Sequence, residues 1–126
     1  MKVLKALRDT GDGDLAQQFR EATVERVPAI KQNDRKTINR LDDYAQAIYQ
    51  ELRSRGRASQ DAMLPLLADD DRNVRGAAAA WVLDFAPDRA IPVLEALVET
   101  PMGGIAASLA RASLIGWRQR DGTSKA

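Results

Sequence analysis

Apolar side chains recur every three or four residues along most of this chain, and an α-helix places residues at that spacing on one face. The clearest stretch is residues 38–52, in which polar side chains fill the positions between the apolar ones. Helix-capping residue types precede it at 32–34, and Gly56, a residue suited to a helix end, follows it. No stretch of four or more residues alternates strictly enough to indicate a strand. The sequence therefore predicts an all-α fold.

Segments before and after that stretch bring the expected total to five or six helices. The first begins at Asp14 and contains Pro28, and the later ones cover about residues 58–68, 74–85, 90–98 and 105–119. Asp88 is the predicted cap of the helix at 90–98. We expect one domain over residues 1–126, with a flexible arm at 1–13 and a flexible tail at 120–126. The predicted core consists of Leu41, Ile48, Leu52, Leu66, Leu67, Val74, Val82, Leu83, Leu94, Leu97, Leu109 and Leu114.

Two residue types are missing from the chain, and their absence limits its chemistry. Without cysteine there is no disulfide, no thiolate zinc site and no cysteine nucleophile. Without histidine the chain lacks the commonest general base and the commonest transition-metal ligand. We therefore predict a non-enzymatic protein with no catalytic residues, no cofactor, no metal site and no small-molecule ligand.

Hydropathy and charge indicate a cytoplasmic chain with an acidic middle. No apolar run approaches the roughly 20 residues that span a bilayer, so we expect no membrane association. The net charge is +1 overall, whereas residues 58–100 contain eight acidic side chains against three basic ones. An acidic region of this kind favours a partner with a basic surface.

Two consecutive segments resemble the HEAT-repeat pattern. The first is the leucine-rich LPLL of residues 64–67 with the DDRNVRGAAA of residues 70–79, and the second is the AIPVLEAL of residues 90–97. In that pattern an aspartate caps the second helix of a pair, and a Val-Arg pair with small residues lets the helices pack closely. The resemblance implies a short α-solenoid of antiparallel helix pairs.

From about Leu15 to Arg118 the order of elements also resembles a short bacterial HEAT-like family of unknown function. The resemblance rests on residues 39–43 (NRLDD), 51–56 (ELRSRG), 74–75 (VR) and 110–117 (ARASLIGW). Gly116 departs from the closing motif and weakens its helix by about 1 kcal/mol relative to alanine. Members of such families look like adaptors, and some resemble immunity proteins encoded beside bacterial toxins. The resemblance implies a protein that binds a cognate toxin and neutralises it by occlusion.

A basic toxin would be steered by carboxylates and anchored by large aromatic side chains. The run Asp69–Asp71 is interpreted as a helix cap within this acidic surface rather than a metal site, because it lacks the spaced ligands of a calcium loop. Trp81 has a second interpretation, as a core residue. The predicted partner-binding residues are Asp69, Asp70, Asp71, Asp84, Asp88, Glu95, Glu99, Tyr49 and Trp81.

Nucleic acid is the competing partner class. A phosphate-binding stripe would use arginines 53, 55 and 57 together with Arg111, Arg118, Arg120 and Lys125. The neutral total charge and the lack of aromatic residues among these arginines argue against it. For Arg75 the resemblance to a HEAT unit implies a pairing with an acidic residue of the adjacent repeat, which is favoured over the alternative of a contact with the partner.

Overall fold

The computed structural model describes the backbone of residues 6–125 and the side chains of residues 6–120. Helices account for most of this part of the chain and no strand occurs in it, which confirms the all-α prediction. The elements are α1 (Asp12–Lys31), α2 (Arg35–Arg55), α3 (Arg57–Gln60), a 3₁₀ helix (Asp61–Ala68), α4 (Arg72–Val82), α5 (Pro87–Glu99) and α6 (Gly104–Lys125).

Seven helices in the described residues replace the five or six that were predicted. The difference arises at residues 58–68, where one predicted helix is divided into α3 and the 3₁₀ helix. Pro65 lies inside that second element and has no N–H to donate to a carbonyl one turn earlier. The tighter 3₁₀ winding is common in such short connecting pieces.

Aspartates cap two of the helices, as the sequence predicted. The side chain of Asp34 accepts a hydrogen bond from the Thr37 N–H at 3.2 Å, which fixes the start of α2. Asp71 does the same for α4, with its carboxylate 2.7 Å from the Asn73 nitrogen. The prediction for Asp88 is wrong, because α5 already begins at Pro87 and Asp88 lies in its first turn. Proline needs no partner for an N–H at that position, so the helix starts without a side-chain cap.

The chain forms two compact units, and the first extends to Leu66. Within it α1 packs along α2, and their contact buries aromatic and aliphatic side chains. Tyr49 is only 1% exposed, and its hydroxyl accepts a hydrogen bond from the Gln60 side chain at 2.9 Å. The largest fully buried side chains of this unit are Leu15, Phe19, Ile48, Tyr49, Leu52 and Met63.

Arg55, near the end of α2, joins three parts of the first unit. Its guanidinium donates to Glu51 and to Asp12, each at 2.8 Å, and to the main-chain carbonyl of Leu7 at 2.9 Å. Asp12 also accepts from the Ser59 hydroxyl at 2.8 Å. These hydrogen bonds, from Ser59 first and Arg55 second, hold the pKa of Asp12 below its ordinary value of 3.8.

The second unit begins at Leu67 and packs α4 against both α5 and α6. Small residues allow the close approach. A Cβ atom on Gly76 would lie 3.2 Å from the Leu97 side chain, and one on Gly103 would lie 2.5 Å from the Ala107 Cβ. Val74, Val82 and Leu94 are the largest fully buried side chains of this unit.

Eleven of the twelve predicted core residues are buried, and Leu109 is wrong because it is 39% exposed. The face of α6 that packs inward instead carries Ala106, Ala110 and Leu114. Leu109 lies about 100° around the helix from Ala110, outside that face.

The ends of the chain were predicted to be a flexible arm and tail. Residues 1–5 of the arm and residue 126 of the tail lie outside the described residues. Leu7 is buried at 2% exposure, and α6 runs through the tail to Lys125. The single-domain interpretation stays a prediction.

Candidate protein-binding surface

Three carboxylates form one stripe along the exposed face of α5. Glu95 follows Asp88 by seven residues and Glu99 follows Glu95 by four, so at 100° per residue all three lie within about 40° of one another. Each of them is exposed. The stripe extends about 17 Å along the helix, since each residue adds about 1.5 Å. We call Asp88, Glu95 and Glu99 the acidic stripe.

A cleft of about 300 Å³ opens beside this stripe. Pro92 lines the cleft and also lies on the same face of α5 as the stripe. The lining is mainly apolar and comprises Leu67, Arg75, Pro92, Val93, Ala96, Leu97 and Thr100. We call it the second-unit cleft.

Arg75 brings a positive charge to the wall of this cleft. Its Nη1 atom donates to the main-chain carbonyls of Asp69 at 2.7 Å and Asp70 at 3.2 Å. The sequence predicted a pairing with an acidic side chain of the next repeat, whereas these bonds go to carbonyls of the preceding turn. Arg75 therefore holds the start of α4 in place while it lines the cleft.

The remaining predicted acidic residues are separate from the stripe. The Asp69 carboxylate accepts from the Asp71 N–H at 2.9 Å, and the Asp71 carboxylate caps α4. Asp70 and Asp84 are exposed in the segments before and after α4. The run 69–71 thus serves mainly to form a turn, as its interpretation as a helix cap predicted.

The two predicted aromatic anchors have different positions. Tyr49 is buried in the first unit, so the structure does not offer it as a surface anchor and that prediction is corrected. Its apolar ring completes the helical stripe of α2, which the sequence pattern also indicated. Trp81 is half-buried on α4, and its role as an anchor stays a prediction.

Sequence reasoning missed a cleft of about 400 Å³ in the first unit. It is lined by Arg40, Asp43, Tyr44 and Ala47, and the Tyr44 hydroxyl is fixed by a 2.6 Å hydrogen bond to Gln18. We call it the first-unit cleft. The NRLDD motif at 39–43 was its only signal in the sequence.

Several arginines of the nucleic-acid interpretation are neutralised within their own units. Arg55 pairs with Glu51 and Asp12, and Arg57 pairs with Asp61 at 2.8 Å. Arg118 pairs with Glu95 at 3.1 Å. Arg111 and Arg120 are exposed on α6.

Metal-binding clusters and membrane-spanning helices are both absent from the part of the chain that the structure describes. No cluster of three or more carboxylates there is arranged to hold a metal ion. No helix there is both long enough and apolar enough to cross a membrane.

The fold and this surface define a small all-helical protein with an acidic face. The family described as "Domain of unknown function (DUF2019)" matches residues 13–114, which include both clefts and the acidic stripe. The chain belongs to this family. No curated protein matches it.

A solved structure extends the similarity over nearly the whole chain. It is the crystal structure of the protein RPA1889 from Rhodopseudomonas palustris CGA009, which is 32% identical in sequence with a TM-score of 0.80. The match covers 93% of this chain and 94% of that one.

Proposed function

We propose that this chain is a non-enzymatic protein-binding protein whose partner docks on the acidic stripe of α5. The observation that carries the proposal is the position of three exposed carboxylates, of which Glu95 pairs with Arg118, beside a mainly apolar cleft. Protein interfaces usually have an apolar centre and a polar rim, and an apolar cleft with charged side chains beside it has this arrangement.

The stripe and the cleft make different contributions to binding. Exposed ion pairs contribute roughly 0.2–1 kcal/mol each, so the carboxylates mainly orient the partner and speed its association. An apolar side chain of the partner would enter the second-unit cleft and supply most of the affinity. The expected partner surface therefore carries lysines or arginines around an exposed apolar residue.

In its most specific form, the proposal is that the chain is an immunity protein that occludes a cognate bacterial toxin. Its support is the resemblance of residues 64–79 and 90–97 to HEAT repeats, which also underlies the proposed solenoid arrangement. The absence of histidine and cysteine from the sequence agrees with a binding role. A toxin that acts on nucleic acid would itself be basic, which fits the stripe.

A protein partner is favoured over nucleic acid by the arginines. Arg55, Arg57 and Arg118, three of those expected to bind phosphate, already pair with carboxylates. Each would have to lose its partner before it could contact a phosphate. A gel-shift experiment at about 50 mM salt, where electrostatic binding is strong, is expected to show no complex.

The decisive experiment captures the partner and then maps its site. The tagged protein is used to isolate bound proteins from its own cells, and the partner is identified by mass spectrometry and purified. Its affinity is measured for the wild type and for the double variant Asp88→Lys, Glu99→Lys. We expect that variant to reduce the association rate at least tenfold at low salt.

The control has the same change of charge in the first unit. Glu25→Lys with Asp43→Lys reverses two exposed carboxylates and should leave the affinity unchanged. If the control variant loses binding while the α5 variant retains it, the site lies at the first-unit cleft and the proposal for α5 is wrong. Rescue of growth on co-expression with the captured partner would establish the immunity activity.

A further inference from the structure

The outer face of α6 carries apolar side chains that no residue of the described structure covers fully. Ile115 is 51% exposed and Leu109 is 39% exposed, while Ala112 between them is also exposed. These residues lie about 100–160° around the helix from Ala110, which is fully buried. Leu109, Ala112 and Ile115 together form an exposed apolar patch on one side of the helix, and a patch of this kind indicates a contact surface.

The charged side chains of α6 between residues 104 and 120 are all basic. Between Gly104 and Arg120 there is no acidic residue, whereas Arg111, Arg118 and Arg120 are all present and exposed. A partner of this face therefore has to supply both carboxylates and an apolar depression for Ile115.

The second unit itself offers both of those features on the neighbouring helix. The ion pair between Arg118 and Glu95 places the arginine side of α6 directly against the acidic stripe of α5. Beyond the stripe, on the far side of α5, lies the second-unit cleft with Pro92 and Ala96 in its lining. The order across the surface is thus cleft, carboxylates, arginines and Ile115.

We propose that this surface binds a second copy of the chain, related to the first by a two-fold axis along the boundary between carboxylates and arginines. Rotation about that axis sets the carboxylates of each copy opposite the arginines of the other. It also sets Ile115 of each copy opposite the second-unit cleft of the other. A surface with this order is complementary to itself, which is the requirement for a symmetric dimer.

The size of the surface determines how strong the dimer is. Helix α5 has 13 residues and is about 20 Å long, and packed helices lie about 10 Å apart. A face of two such helices is smaller than the roughly 800 Å² per partner of a standard interface. The dimer is therefore weak, forms at high protein concentration and dissociates in salt, because its ion pairs are exposed.

This inference does not require the proposed function, although the two share the acidic stripe and the cleft. A toxin bound there would displace the second copy, so the dimer would be the resting form of the protein. The self-association is tested with the purified chain alone, and its failure would leave the proposal of a foreign partner unaffected.

Sedimentation velocity of the purified chain is measured from about 10 µM to about 500 µM, a range that brackets weak association, at about 20 mM and about 300 mM salt. We expect a concentration-dependent shift towards the dimer at low salt that is lost at high salt. A monomer at every concentration would overturn the proposal.

Four variants locate the interface. Arg111→Glu and Glu99→Lys are each expected to weaken the dimer at least tenfold, and the double variant that carries both should dimerise again because its charges are exchanged. Ile115→Gln should also weaken it. Arg35→Glu is the matched control, since this exposed arginine lies at the start of α2 in the first unit and has no part in the proposed interface. Dimerisation that survives Arg111→Glu, or a double variant that stays monomeric, would refute this geometry.

Discussion

Replacement of Gly103 by alanine is expected to destabilise the second unit. A Cβ atom at this position would lie 2.5 Å from the Cβ of Ala107, 3.1 Å from the Thr100 carbonyl oxygen and 3.3 Å from that of Leu97. None of these atoms is at the end of a flexible side chain, so the backbone between α5 and α6 would have to shift. Strain of this kind costs about 1–3 kcal/mol in a packed interior.

Gly116, within the α6 helix that follows, provides the control. A Cβ atom there would lie 3.7 Å from the Arg120 guanidinium, an ordinary contact with a flexible group. Alanine has the higher helix propensity, so Gly116→Ala should stabilise the protein by about 1 kcal/mol. The same substitution is thus expected to have opposite effects at two positions 13 residues apart in the sequence.

Thermal unfolding followed by circular dichroism measures both effects. For a chain of 126 residues, 1 kcal/mol corresponds to a change in Tm of about 3–6 °C. Gly103→Ala should therefore lower Tm by about 3–18 °C, and Gly116→Ala should raise it. A Gly103→Ala protein as stable as the wild type would show that the loop before α6 is not packed as described.

Three further predictions concern stability. Asp71→Ala removes the cap of α4 and should lower the free energy of unfolding in urea by about 1 kcal/mol, whereas Asp71→Asn should recover most of it. Tyr49→Phe leaves the buried Gln60 amide without its acceptor and should lower the free energy of unfolding by about 1–3 kcal/mol in the same assay. An unchanged free energy of unfolding would indicate that a water molecule replaces the hydroxyl at that amide. The pKa of Asp12 is lowered on folding, so its contribution is present above the ordinary value of 3.8 and is lost as pH falls through the folded pKa. Asp12→Asn should accordingly flatten the decline of stability below about pH 4, and an unchanged slope would contradict the bonds from Ser59 and Arg55.

The sequence predicted a helix start correctly where a single capping residue determines that start. Asp34 and Asp71 cap their helices because a carboxylate there satisfies N–H groups that have no partner within the helix. The same reasoning failed at Asp88, since Pro87 can begin a helix without a cap. The division of residues 57–68 into two short helices was also missed, because it depends on a single proline inside a regular apolar pattern.

Leu109 shows why the pattern could not define the core fully. Helix α6 carries apolar residues on more than one face, so periodicity alone does not select the one that packs inward. Packing against α4 selected the small side chains of Ala106 and Ala110, and Leu109 was left exposed.

The acidic stripe could be predicted in part, because steps of seven and four residues place Asp88, Glu95 and Glu99 on one face of any helix. The two clefts could not, since each depends on how neighbouring side chains are arranged in space rather than on their order in the sequence. Tyr49 was misassigned for a related reason. An aromatic residue at helical spacing fits a core position and an interface equally well until its neighbours are known.

The bonds of Arg55 determine which changes the start of the chain tolerates. In the segment before α1, as far as the structure describes it, the guanidinium donates to the main-chain carbonyls of Leu7 and Arg8. Substitution of an exposed residue such as Asp9 should therefore leave this anchorage intact, whereas position 7 needs an apolar side chain because Leu7 is buried. Truncation of the same segment would remove the two carbonyl acceptors, which a side-chain substitution leaves in place. The half-buried guanidinium of Arg55 would then have fewer hydrogen-bond acceptors around it than it has N–H donors.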